Sequence, residues 1–155
     1  MAMWPGQAKN SSRVICHNGF GKEPESQAFE KTAAWARKHD LIDRPHRLFG
    51  YNNPNPTPGS PNYGYDVWMT VDKTVQAEGE ARIVEFTGGL YAVMRLKVTD
   101  PGDEIPKAWR KLVLWREKSR YHEGRHQWLE EHIGSIGDSV NQMPFTLDLY
   151  LPIKA

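Results

Sequence analysis

Two stretches of this chain repeat one another 80 positions apart, and that repeat restricts the fold more than any other feature. "AFEKTAAWARK" (28–38) and "AWRKLVLWREK" (108–118) each open on Ala and an aromatic, place Lys three and Trp seven positions after the Ala, and close on Lys. Small and large apolar side chains recur at helical spacing in both, which predicts two amphipathic helices. Pro24 belongs near the first turn of the first helix. In the second, Asp103 reads as the N-cap and Pro106 as an early helical residue.

The flanking segments repeat as well. "YDVWMTV" (65–71) and "LDLYLPI" (147–153) share the order apolar, Asp, apolar, aromatic, apolar, and alternate as strands do. "HRLFGYNN" (46–53) and "RHQWLEEH" (125–132) fall between helix and strand in each half; "SRVICHN" (12–18) and "LYAVMRLKV" (90–98) precede the helices. "ARIVEFT" (81–87) adds a strand that turns through Gly88-Gly89. Each half therefore reads strand–helix–strand–strand. The expected fold class is α+β: two modules, about 12–75 and 80–155, related by a pseudo-twofold axis, forming an antiparallel sheet with both helices on one face. A ligand cleft is expected between the modules, on the sheet face opposite the helices. "NNPNPTPGSPNYG" (52–64) reads as a rim loop, "GSIGDSVNQMP" (134–144) as its counterpart, and residues 1–11 as a flexible N-terminal tail.

Composition narrows the function classes. A formal charge of +1 offers no broad field for direct nucleic-acid or membrane binding. One cysteine, Cys16, excludes an internal disulfide framework. The N-terminus lacks a signal-peptide pattern and no apolar run reaches the roughly 18 residues of a membrane span, so a cytoplasmic location is expected. Six Trp and six Tyr against five Phe favour rings with a polar tip, which suit surfaces that a ligand covers.

In order and spacing, "YGYDVWMTV", "GGLYAVMRL", "AWRKLVLW", "HQWLEEH" and "FTLDLYLPIK" resemble the GyrI-like domain, the fold of the effector-binding domains of AraC-type and MerR-type transcription regulators. The resemblance covers about residues 12–154. It implies a cleft that takes bulky, aromatic, often cationic small molecules, with a glutamate as counter-charge and aromatic rings as stacking surface. Some similar free-standing members hydrolyse the cyclopropane of DNA-alkylating natural products, and others protect DNA gyrase. With no room for a helix-turn-helix before residue 12, the expectation is a free-standing domain or the sensor half of a regulator.

Glu130 matches the cleft glutamate of that family. If Leu129 faces the helices, alternation turns Trp128, Glu130 and His132 to the groove and leaves Glu131 on the helix side. Strand parity assigns Trp68, Tyr150 and Tyr91 to the groove; Tyr51 and Phe49, on the module-one counterpart of the Glu130 strand, form its opposite wall, and Trp109, near the helix start, its edge. Asp66 and Asp148 read as structural acceptors for backbone donors. No cofactor or metal is expected: His122, His126 and His132 do not have metal-ligand spacing, and Cys16 lacks a base, since His17 points to the opposite strand face. The leading expectation is binding of a hydrophobic, aromatic, cationic molecule for sensing or sequestration. The alternative is a cyclopropane-opening hydrolase with Glu130 as base on water. A transcription-regulator or gyrase partner is the third class.

Overall fold

The computed structural model describes residues 3–5, 12–138 and 142–155. In chain order the elements are β1 (Met3–Pro5), β2 (Ser12–Gly21), α1 (Pro24–Lys38), β3 (Leu48–Asn52), β4 (Tyr63–Thr70), β5 (Arg82–Phe86), β6 (Tyr91–Val98), α2 (Pro101–Glu117), β7 (His122–Glu123), β8 (Leu129–His132) and β9 (Phe145–Lys154). All strand pairs are antiparallel, in the order β1-β6-β9-β8-β3-β4-β2-β5, with β7 against β9. This is an α+β fold. The expected 1–11 tail lies outside the described residues except at Met3–Pro5, which pair with β6 as an edge strand. The 134–144 connector lies outside them at 139–141.

The duplication is visible in the strand order. Module one contributes β2-β4-β3, module two β6-β9-β8, and the two join through β3 and β8. The helical repeat is offset by 80 residues, Ala28 to Ala108, and the same offset carries Gly50 to Glu130. Gly50 and Glu130 are also cross-strand partners. The pseudo-twofold axis therefore passes between them, and Glu130 lies at the centre of the molecule.

The sheet cannot be flat. β5 and β6 are joined by the four residues 87–90, yet stand six strand positions apart. Six spacings span about 29 Å in a flat sheet, whereas that link reaches about 18 Å at most. The sheet curls, and its hollow is filled by Val14, Phe49, Trp68, Phe86, Tyr91, Val93, Leu129 and Tyr150. Edge-to-face pairs knit this filling, with Phe49–Tyr150 at 5.9 Å and Tyr91–Tyr150 at 5.3 Å between centroids. On the outer face α1 packs Phe29 and Trp35 onto Ile15, Tyr65, Val67 and Met69. There α2 packs Ala108 and Leu112 onto Met94, Leu147, Leu149 and Leu151.

Three expectations are corrected. α2 begins at Pro101 with Asp100, not Asp103, at the N-cap, because the Glu104 carboxylate reaches back to accept the backbone N–H of Thr99 (2.7 Å) and of Asp100. Pro106 consequently lies inside the helix. The strand expected over 125–132 is only Leu129–His132, and the short β7 precedes it. The cleft face is also reversed: Leu129 points into the hollow, and Glu130 and His132 point to the helix side. With an apolar core on each face of a curled sheet, a leucine does not reveal which face it occupies.

Candidate functional site

On the helix side, the first turns of α1 and α2 stand apart and leave a cleft of about 480 Å³ over the pseudo-twofold axis. Glu25 of α1 forms one wall; Pro101, Gly102, Ile105 and Pro106 of α2 form the other. Tyr63, Tyr65, Glu130, His132, Phe145 and Leu147 make the floor, and Asn52 and Pro56 the rim. A second cavity of about 360 Å³, a further lobe that shares Asn52 and Glu130 with the first, is lined by Tyr51, Asn55, Trp109 and Trp128 at the ends of β3 and β8. The loop expected as a rim thus borders both lobes, through Pro56 and Asn55.

Glu130 is half-buried and held from two sides. Tyr65 Oη donates to its Oε1 at 2.8 Å, and Trp109 Nε1 donates to its Oε2 at 3.3 Å. The Tyr65 hydroxyl gets there because it crosses Gly50, where a side chain would collide with the phenol ring. Glycine inside a strand marks such close approaches. Tyr65 Oη also lies 2.9 Å from His132 Nε2. A phenol has one proton, so with Tyr65 donating to Glu130 the imidazole N–H must lie on Nε2 and donate to Tyr65. His132 Nδ1 then carries a lone pair, and it has no hydrogen-bond partner among the described residues.

Electrostatics follow from burial. Desolvation pushes the Glu130 carboxyl above the usual carboxylate range, against the two hydrogen bonds from Tyr65 and Trp109, and the charge of Glu25 adds to the rise. Desolvation pushes His132 down to about 4, so the imidazole is neutral near pH 7. Tyr63, whose hydroxyl donates to Glu25, and Tyr65 are both raised, chiefly by burial, and stay protonated.

The neighbouring acids show what sets Glu130 apart. Glu131, on the hollow side, takes two hydrogen bonds from Arg47 (2.7 and 2.8 Å) and one from Tyr150 (2.6 Å). Asp148 pairs with Arg95 at 2.8 Å. Asp66 accepts from Asn18 at 2.7 Å and Asn53 at 3.1 Å, with Arg82 at 3.5 Å. Both aspartates are thus structural acceptors, but from side-chain donors rather than the expected backbone ones. Each of these three buried acids has an arginine. Among the described residues Glu130 and Glu25 have no ion-pair partner and no Lys or Arg lines the cleft.

Of the eight candidate residues, the structure brings Glu130, Trp128, Trp109 and Tyr51 to the two lobes. Trp109 and Trp128 lie 5.2 Å apart between centroids. Trp68, Tyr150, Phe49 and Tyr91 do not join them: they are buried in the hollow, on the far side of the sheet from the cleft. Alternation did turn Trp68 and Tyr150 away from the helices, but that face is packed core rather than a groove. Tyr65, Tyr63, Glu25 and Phe145 were not anticipated. Parity with Leu147 and the glycine at position 50 are the signals that could have found Tyr65. Among the described residues no group of three or more His, Cys, Asp or Glu converges as a metal site, and His126 instead contacts the Leu90 carbonyl. Cys16 is buried and its thiol is pushed up to about 11, mainly by desolvation.

Comparison with known proteins gives a family and a fold. The model of the GyrI-like small-molecule-binding domain matches residues 9–154. No curated protein matches the chain. Among solved structures, the C-terminal domain of EcmrR superposes with a TM-score of 0.68 at 13% identity, covering 99% of both chains. In the EcmrR–DNA complex the likeness covers 99% of this chain but 56% of EcmrR, so the chain spans little more than half of that regulator. A hydrolase from Listeria innocua superposes at 0.63 with 10% identity, covering 98% of this chain and 91% of that one. SAV2435, solved with tetraphenylphosphonium bound, superposes at 0.56 with 10% identity, covering 100% of this chain and 95% of that one.

Proposed function

Because the chain belongs to the GyrI-like small-molecule-binding domain family, we propose that its ligand is a bulky aromatic cation held in the cleft between α1 and α2. The observation that carries this is the contrast between adjacent acids. Glu131 is neutralised by Arg47, whereas Glu130 is held by neutral donors at the floor of a cleft that no Lys or Arg lines among the described residues. A partly desolvated carboxylate of that kind attracts a positive ligand more strongly than one in water. In the adjoining cavity that shares Glu130, Trp109 and Trp128 supply ring faces, each worth about 0.5–2 kcal/mol to a cation depending on desolvation. The cation bound by SAV2435 has this chemistry.

The test is a titration with tetraphenylphosphonium or a rhodamine dye, followed by tryptophan quenching. Wild type binds, and Glu130→Gln weakens binding about tenfold or more, as expected for a charged hydrogen-bond partner lost from a desolvated site. Unchanged affinity in Glu130→Gln refutes the proposal. The biological setting that fits is sensing or sequestration of such compounds, alone or beside a transcription-regulator partner. Co-purification with a DNA-binding protein or with gyrase, tested by pull-down, addresses the partner.

A second reading rests on the hydrogen-bonded line His132–Tyr65–Glu130. A carboxylate with a raised proton affinity can take a proton from water near neutral pH. The water oxygen would then bond to a cyclopropane carbon as the ring C–C bond breaks toward a conjugated carbonyl, and the proton would pass to that carbonyl side. Incubation with an electrophilic cyclopropane distinguishes the two readings. Ring-opened product that disappears in Glu130→Ala supports the hydrolase, and intact compound rules it out for that substrate.

A further inference from the structure

Glu130 is not the only acid in the cleft. Glu25, in the first turn of α1, lines the same 480 Å³ space. Both carboxylates are held in the same way: Tyr63 donates to Glu25 and Tyr65 donates to Glu130. Tyr63 and Tyr65 are two residues apart on β4 and so project from the same face, their Cα atoms about 7 Å apart. One strand therefore presents two phenol-anchored carboxylates to one cavity. Neither has a cationic partner among the described residues, and the charge of Glu25 works against ionisation of Glu130. The third polar group of the floor, His132, is 6% exposed, and its Nδ1 is buried without a hydrogen-bond partner among the described residues.

Two like charges facing one low-dielectric space repel each other, and a single cation relieves only one of them. A divalent metal does not suit the arrangement, because among the described residues no third ligand converges with the two glutamates. The same cavity has apolar lining, Ile105 and Pro106 in the α2 wall and Phe145 in the floor, that accepts a flat ring system. We infer that the cleft is built for organic dications: rigid aromatic molecules with two positive centres, one over Glu130 and one beside Glu25. This rests on the cation-binding reading and specifies its ligand class.

A matched pair of probes tests it. 1,1′-Dimethyl-4,4′-bipyridinium carries two charges on a planar biaryl, and 1-methyl-4-phenylpyridinium has nearly the same shape with one. Calorimetric titration of the full chain at low ionic strength should show the dication binding about tenfold or more tightly than the monocation. Glu25→Gln should bring the ratio of the two affinities close to one, and circular dichroism confirms that the variant is folded. Equal affinities in the wild type, or a ratio that survives Glu25→Gln, overturn the inference. If tetraphenylphosphonium still binds through Glu130 while the dication shows no advantage, the inference fails and the cation-binding reading stands. Loss of all cation binding sinks both.

Discussion

Replacing Gly50 by alanine tests the architecture of the site at its centre. A Cβ at position 50 would overlap Oη, Cζ and Cε2 of Tyr65. To restore a carbon contact of about 3.5 Å the ring must retreat by more than about 1 Å. Tyr65 is 2% exposed and wedged into the α1 core, so the retreat is resisted. Overpacking of this kind costs about 1–3 kcal/mol. The same displacement stretches the 2.8 Å bond to Glu130 and the 2.9 Å contact to His132 beyond hydrogen-bond length. Leaving such buried groups unpaired adds about 1–3 kcal/mol. Together these lower the melting temperature by roughly 5–20 °C in a domain of this size. Thermal unfolding by circular dichroism measures the loss, and dye titration measures the weakened cleft. Tyr65→Phe is the control, since it removes the hydroxyl without the clash and should fall between Gly50→Ala and wild type. A Gly50→Ala protein that melts within 2 °C of wild type, on the scale of about 2–4 °C per kcal/mol, and binds dye equally well refutes the reasoning.

Other consequences follow from the two adjacent acids and the imidazole. Glu131→Gln should cost about 1–3 kcal/mol, because it disturbs the pairing with Arg47 and Tyr150, yet leave dye affinity unchanged; a binding defect would place Glu131 in the cleft. Glu130→Gln should behave oppositely on stability. The Glu130 carboxyl is raised on folding, so its ionised form opposes folding above the raised value and costs nothing below the ordinary glutamate range. Urea titrations should therefore find Glu130→Gln at least as stable as wild type at pH 8, with the gap closing toward pH 4; a variant less stable at pH 8 contradicts this. His132 is lowered to about 4 on folding, so the unfolded chain takes up its proton first and stability is lost as pH falls from about 6.5 toward 4. His132→Asn should flatten that part of the pH–stability curve, and an unaltered slope would assign it to other groups.

What the sequence by itself determined was the duplication and its period. The 80-residue offset between the helices predicted two strand–helix–strand–strand modules, and the strand order β2-β4-β3 beside β8-β9-β6 is that duplication in space. Period-two alternation also separated the leucines of β9 from Tyr150, since strand geometry is local and needs no knowledge of partners. Which face of the sheet holds the cleft was decided by tertiary structure alone. A four-residue link between β5 and β6 forces the sheet to curl, and the hollow so formed is filled by Phe49, Trp68, Tyr91 and Tyr150. Aromatic and of the right parity, those four carry no local mark that separates a packed interior from a binding wall. Glu130 and Glu131 were equally indistinct in "HQWLEEH". Their roles separate only when Arg47, 84 residues away in the chain, reaches one of them and the strand-centre glycine lets Tyr65 reach the other.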